Sequence, residues 1–280
     1  MIVIKSINLW SFPSGWGPEQ CFESAAAAGY GAVEPNFALD GYLTPESRDR
    51  DVLALKARAE GCGLQLASLS TGVYWACPPT SDDAMIRAKA LDLVLRQLEI
   101  AALLGVGAIL VVPGMVGADF ADAPPVRYDV AHERALTFLR AAAPHAAACG
   151  VVIGVENVWN KFLLSPMEMA AFVDACESPF VQSYFDVGNV LQFGYPEHWI
   201  DILGKRIVRV HVKDFKRSVG NINGFTDLLT GDVDFPAVVA ALRRVGYDGY
   251  LTAELSAYRY YGDQLVPNTS ASLDRIIAMN

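Results

Sequence analysis

Four residues in the C-terminal half of this chain, Glu156, Asp186, His211 and Glu254, can each ligate a metal, and each stands at or near the end of a short apolar run. The runs read VVIGVE, VQSYFD, IVRVHVKD and GYLTAEL, and the four residues fall 30, 25 and 43 positions apart. One acid or imidazole at the end of a buried strand is ordinary, because it often caps the helix that follows. Four in succession point to one shared site at a single rim. Three carboxylates and an imidazole make an oxygen-rich, borderline-hard set suited to Mn²⁺, Mg²⁺ or Co²⁺. Zn²⁺ is admitted, whereas Cu⁺ and iron-sulfur chemistry would need thiolates. Two of the carboxylates can also move protons, since a ligand bound through one oxygen keeps the other free. A neighbouring divalent ion acidifies a C–H beside a chelated carbonyl by stabilising the enediolate.

Positioning such a set requires strands that all end on one side. Short β-branched or apolar runs bounded by Gly, Pro or Asp occur near residues 2–8, 31–35, 64–70, 107–113, 151–156, 180–186, 207–212 and 249–255. Segments of helical periodicity lie between them, including Asp82 to Leu104 and Val130 to Cys149. Thr44-Pro45 and Ser165-Pro166 read as an N-cap followed by proline at N1, and Glu168 adds a capping box to the second. Strands alternating with helices imply parallel pairing, and eight such units suffice to close a (β/α)₈ barrel as one domain over residues 1–280. A doubly wound open sheet is the alternative, but no G-x-G-x-x-G turn supports it.

Strand parity adds a constraint. Arg209 shares a face with His211, and Gln182 and Tyr184 share that of Asp186, so the barrel interior below the metal is expected to be partly polar. A charged Arg209 there needs a carboxylate, for which Glu34 at the end of GAVE is the candidate; the alternative for Glu34 is contact with substrate. Aromatic residues follow three strands at the same rim: Trp10, Phe12 and Trp16, then Phe37, then Tyr74 and Trp75. Flat rings there could line a sugar pocket and exclude water, or could pack in the core or an interface. Trp159, close after Glu156, has the best position for a pocket role. His132, His145 and His198 fall in helical segments away from strand ends and read as surface or structural.

Composition narrows the partners. A net charge of -9 gives no general attraction to nucleic acid or an anionic membrane. Five scattered cysteines with no C-x-x-C pair indicate reduced thiols in a cytoplasmic protein, and no run has the form of a signal peptide or the length of a membrane span. The Asn268-Thr269-Ser270 sequon is then a coincidence.

The segments GVEN, FDVGN, VHVKDFKR and LTAEL, with GYGAVE, LASLS and GDVDFPAVVAALRRVGYDGYLTAE around them, resemble the sugar phosphate isomerase/epimerase group of the xylose-isomerase-like TIM barrels, especially the ketose 3-epimerases. The likeness runs through nearly the whole chain. It implies that Glu156, Asp186, His211 and Glu254 bind one divalent ion per chain, with Mn²⁺ favoured, and that Glu156 and Glu254 form the acid-base pair. It also implies that Arg217 contacts substrate oxygens, although Lys213 and Lys216 beside it also fit a solvated loop. Enzymes of this group that act on free ketoses carry a substrate-binding His three residues after the ligand Asp, where this chain has Asn189, which donates a hydrogen bond but cannot take up a proton or carry charge. Lys213 and Lys216 could instead favour a phosphorylated ketose. Relatives are often dimers or tetramers, which the apolar composition permits.

The leading expectation is therefore a metal-dependent epimerase or isomerase of a ketose or ketose phosphate, with Glu156 and Glu254 exchanging protons at carbon. Substrate contacts are expected from Arg217, Asn189, Trp159, Trp10 and Glu34. A dehydratase acting on an inosose-like ring would use the same site with a different leaving group. A phosphodiesterase of the endonuclease IV type needs many histidines, and this chain has four. A non-catalytic sugar-binding barrel would need no proton-transfer pair.

Overall fold

The computed structural model describes residues 3–120 and 124–279. Each of the eight expected runs contributes a strand: β1 (Val3–Asn8), β2 (Ala32–Glu34), β3 (Gln65–Leu66), β4 (Ala108–Val111), β5 (Val152–Glu156), β6 (Val181–Asp186), β7 (Ile207–Val212) and β8 (Gly249–Ala253). Residue 2, where the first run was expected to begin, lies outside the described residues. All pairings within this sheet are parallel, in the order β3-β2-β1-β8-β7-β6-β5-β4. A single bridge closes the ring: the Leu69 N–H donates to Ala108 O at 3.2 Å and the Leu110 N–H to Leu69 O at 3.0 Å. The run 64–70 is thus interrupted, and its far end continues as Ser70–Thr71, which pairs with Asn36–Phe37 beyond β2.

Among the described residues, eight longer helices alternate with the strands, α1 (Pro18–Ala27), α2 (Asp49–Gly61), α3 (Ala84–Leu104), α4 (Tyr128–Cys149), α5 (Pro166–Ala175), α6 (Pro196–Leu203), α7 (Phe235–Arg244) and α8 (Leu265–Ile277), and a single helical turn, Val73–Ala76, precedes α3. In α7 the buried residues Phe235, Val238, Val239 and Leu242 recur at three- and four-residue spacing, giving the apolar stripe that docks a helix on a sheet. Asp234 starts that helix by accepting the Ala237 N–H at 3.0 Å. Gly105 ends α3 in the left-handed region at φ +77°, a conformation that glycine adopts without Cβ strain.

Two expected helix starts differ from the structure. Thr44-Pro45 opens no helix: the Thr44 N–H donates to Ser47 Oγ at 2.8 Å in a turn, and α2 begins at Asp49. Ser165 does cap α5, accepting the Glu168 N–H at 3.2 Å, but the Glu168 carboxylate does not return to the cap residue. It accepts instead from the Leu164 N–H at 2.9 Å and from the Tyr128 hydroxyl, because α4 supplies a closer donor. Among the described residues, no helix is long and apolar enough to cross a membrane.

Candidate metal and proton-transfer site

Parallel pairing brings the ends of β5 to β8 to one rim. Glu156 and Asp186 close β5 and β6, His211 stands one residue before the end of β7, and Glu254 directly follows β8. The register sets Asp186 beside His211 and His211 beside Thr252. Ligand atoms from Glu156, Asp186, His211 and Glu254 all lie within 4.8 Å of one another. His211 Nδ1 is 2.7 Å from Glu254 Oε2 and 3.6 Å from Glu156 Oε1. Asp186 Oδ2 and His211 Nδ1 are buried with no properly directed hydrogen bond, although Lys213 Nζ lies 3.0 Å from the first. Buried polar atoms left this way are costly without a partner, and a divalent cation would satisfy both at once. The donor set therefore fits a hard or borderline divalent ion.

The other nitrogen of His211 fixes the ring. Its Nε2 is 2.7 Å from Glu34 Oε2, and Glu34 also accepts from Asn8 Nδ2 at 2.5 Å, from Ser68 Oγ at 2.6 Å and from the Tyr184 hydroxyl. Glu34 is fully buried, and although burial opposes its charge, His211, Ser68 and Tyr184 hold its carboxyl below the ordinary value. It is thus the partner of His211, which corrects the expectation that it would neutralise Arg209. Arg209 does point into the barrel, but Nε donates to Ala67 O at 2.9 Å, Nη1 donates to Val208 O at 2.8 Å, and the guanidinium lies 5.2 Å from the Tyr250 ring centre. Backbone carbonyls and an aromatic face satisfy it without a carboxylate.

Lys213 and Asn157 also stand at the centre, where the sequence pattern did not place them. Lys213 Nζ sits 3.0 Å from Asp186 Oδ2 and 2.9 Å from Glu254 Oε1, with Phe225 beneath it. Its position two residues after His211, on the same strand face, was the available signal. Asn157 clamps β5 to β6: its Oδ1 accepts the Asp186 N–H at 2.9 Å and its Nδ2 donates to Asp186 O at 2.8 Å. The Asn189 N–H then donates to Asp186 Oδ1 at 2.8 Å, leaving Oδ2 directed at the cluster.

Burial and neighbouring charge separate the two glutamates. Burial pushes the Glu156 carboxyl up to about 7, against the opposing pull of His211 and Lys213. Burial acts the same way on Glu254, but Lys213 and His211 outweigh it and hold that carboxyl well below its ordinary range. Burial also raises Asp186.

The remaining expected site residues are more dispersed. Asn189 is buried at the edge of the cluster, and its Nδ2 donates to Asn157 O at 3.0 Å. Trp159 Nε1 donates to Asn189 O at 2.8 Å, and its ring packs near Phe193, Phe215 and Phe225. Arg217 is exposed, stacks 5.3 Å from the Tyr195 ring centre and makes no described contact with the four clustered side chains. Trp10 is 43% exposed at the rim, whereas Phe12, Phe37 and Tyr74 are core residues, the last donating its hydroxyl to Gln97 Oε1 at 2.9 Å.

Comparison with known proteins gives the family. A model for xylose isomerase-like TIM barrels matches residues 22–278. The chain is 25% identical over 214 residues to an L-ribulose-5-phosphate 3-epimerase of Salmonella paratyphi C (strain RKS4594), covering 75% of this chain and 70% of the relative. It is 31% identical over 118 residues to a 3-oxo-isoapionate decarboxylase of Pectobacterium atrosepticum (strain SCRI 1043), which covers 40% of this chain and 42% of the relative. In fold it is similar to a D-psicose 3-epimerase from Clostridium cellulolyticum H10 crystallised with D-tagatose, with a TM-score of 0.81 over 99% of both chains at 19% identity.

Proposed function

The chain belongs to the xylose isomerase-like TIM-barrel family, and from that premise we propose that it is a divalent-metal-dependent epimerase or isomerase acting on a ketose or ketose derivative. The observation that carries this reading is the convergence of Glu156, Asp186, His211 and Glu254 from four consecutive strand ends within 4.8 Å. These four residues would hold the ion, Mn²⁺ being favoured, in a cytoplasmic enzyme. When bound, the ion supplies positive charge beside the substrate carbonyl and so acidifies the neighbouring C–H.

The chain's own groups would then move the proton. Glu254, kept ionised by Lys213 and His211, takes it from carbon as general base. Glu156, bound through one oxygen, keeps the other free to pass a proton to carbon from the other side. Return to the opposite face of the same carbon inverts that centre through an enediolate. Return to the adjacent carbon interconverts ketose and aldose. Asn157 and Asn189 keep Asp186 aimed at the cluster, Glu34 keeps the His211 ring in place, and Trp159 shields the side nearest β6.

The test is exchange in D₂O. The Mn²⁺-loaded protein is incubated with ketoses, ketose phosphates and inososes, and deuterium is located by NMR. The expected result is label at C3 with inversion, lost in Glu156→Gln and in Glu254→Gln. Label at C1 or C2 would mark aldose-ketose isomerisation, and loss of water from an inosose would mark the dehydratase. Exchange that is absent with every substrate, or unchanged in both variants, would overturn the proposal.

A further inference from the structure

A cavity of about 580 Å³ opens among the segments that follow β4, β5, β6 and β7. Asn157 and Asn189, the residues that hold Asp186, form part of its wall, so cavity and cluster share a boundary. The rest of the lining is mainly apolar, with Phe120, Trp159, Phe162, Phe193 and Trp199 supplying its aromatic rings. Leu164 is 60% and Phe193 78% exposed, a large amount of apolar surface to leave at the mouth of a sugar site.

Several polar groups on this wall are already engaged. Trp159 Nε1 donates to Asn189 O at 2.8 Å, Asn157 spends its amide on Asp186, and Asn221 Nδ2 donates to Val219 O at 3.2 Å. The charged lining side chains, Lys161 and Asp119, pair with each other at 2.6 Å. A phosphate ester placed here would meet one cation among the lining side chains, Lys161, which Asp119 already faces, and otherwise mainly apolar surface. An apolar group would meet rings and branched side chains in a space of the size that holds a small organic ligand.

We infer that the substrate is a keto-sugar carrying an apolar substituent, an alkyl or aryl group in ether or glycosidic linkage, which this cavity receives while the sugar meets Glu156 and Glu254. This rests on the proposed proton-transfer function and narrows it, selecting a substituted sugar over a phosphate ester.

The test compares ketohexoses bearing hexyl or phenyl ethers at O1 or O6 with the unsubstituted ketohexose and its 1- and 6-phosphates. All are followed by deuterium uptake with the Mn²⁺-loaded full chain. The expected result is a kcat/KM for an ether at least about tenfold above that of the parent sugar, and a phosphate below the parent. Leu164→Arg, which sets a charge at the cavity mouth, is expected to collapse the ratio of ether to parent. Binding of a 4-nitrophenyl ether, read as quenching of tryptophan fluorescence, gives a second measurement that needs no turnover, and Leu164→Arg is expected to weaken it. A preference for a phosphate, or equal rates for ether and parent with no quenching, would overturn the inference while leaving the epimerase reading intact. Quenching without exchange of any sugar would retain the cavity's ligand class and sink the reaction. A dimer that dissociates in Leu164→Arg, with no ether preference in the wild type, would assign this face to a second copy and overturn the inference.

Discussion

Lys213 places an ammonium among buried carboxylates, 3.0 Å from Asp186 and 2.9 Å from Glu254. Removing one partner of a buried ion pair leaves the other charge uncompensated, so Lys213→Met should destabilise the metal-free protein by roughly 3 kcal/mol. A divalent ion would replace the lost charge, and thermal unfolding with and without Mn²⁺ should show metal restoring most of the difference. Glu34 acts on the same site from below. Glu34→Gln would loosen the His211 ring and weaken metal retention about 10–100-fold, measurable by competition with a chelator. Protons should report on loading as well. In the metal-free protein, burial raises Glu156 to about 7, while His211, despite its burial, is held protonated by Glu34 and Glu254. Coordination needs a carboxylate and a neutral imidazole, so uptake releases protons and apparent affinity rises with pH through neutrality. The linkage for stability has the opposite sign. Because the Glu156 carboxyl lies above its ordinary value, its contribution to metal-free stability is present in acid and is lost as pH rises through about 7. Calorimetry in buffers of different ionisation enthalpy checks the proton release.

At the level of elements, the turn after β6 decides how close Lys213 can come. A Cβ on Gly188 would stand 2.5 Å from Lys213 Cβ and 3.1 Å from its backbone carbon, contacts that neither chain can accept unmoved. Gly188→Ala should therefore push β6 and β7 apart at their ends, cost about 1–3 kcal/mol and loosen the metal. Unfolding midpoint and metal content together check this. The sequence displayed the strands and their terminal acids because burial and strand-end chemistry leave local marks: apolar runs, period-two alternation and capping residues. It did not display the partners of Glu34 or Arg209. His211 reaches Glu34 across 177 positions and Arg209 reaches Ala67 across 142, and no local pattern encodes such distances. The same holds at Thr44-Pro45, where a good cap signal was spent on a turn because Ser47 lay within reach. Of the rim aromatics, Tyr74 was drawn into the core by a hydrogen bond to Gln97, while Trp10 stayed partly exposed.

Across the whole molecule, closure depends on a narrow seam. Between β3 and β4 the backbone contributes one bridge, at Leu69 and Ile109, whereas β6 pairs along much of its length with both neighbours. Gln97 of α3 reinforces the seam from outside: it is fully buried and donates Nε2 to Leu69 O at 3.1 Å and to Leu110 O at 3.2 Å. Gln97→Leu keeps the volume but removes both donors and strands the Tyr74 hydroxyl, so a loss of about 2–4 kcal/mol is expected. Amide exchange should quicken at Leu69 and Leu110 first, and an unchanged exchange rate there would remove Gln97 from the closure. The sequence by itself determined the alternation of eight strands with helices and the donor types at four strand ends, because backbone geometry and burial act over a few residues at a time. Only the tertiary structure decided which side chains face one another. It set Lys213 between Asp186 and Glu254, put Glu34 under His211 and opened an apolar cavity beside Asn189, since these contacts depend on where a closed barrel brings distant segments together.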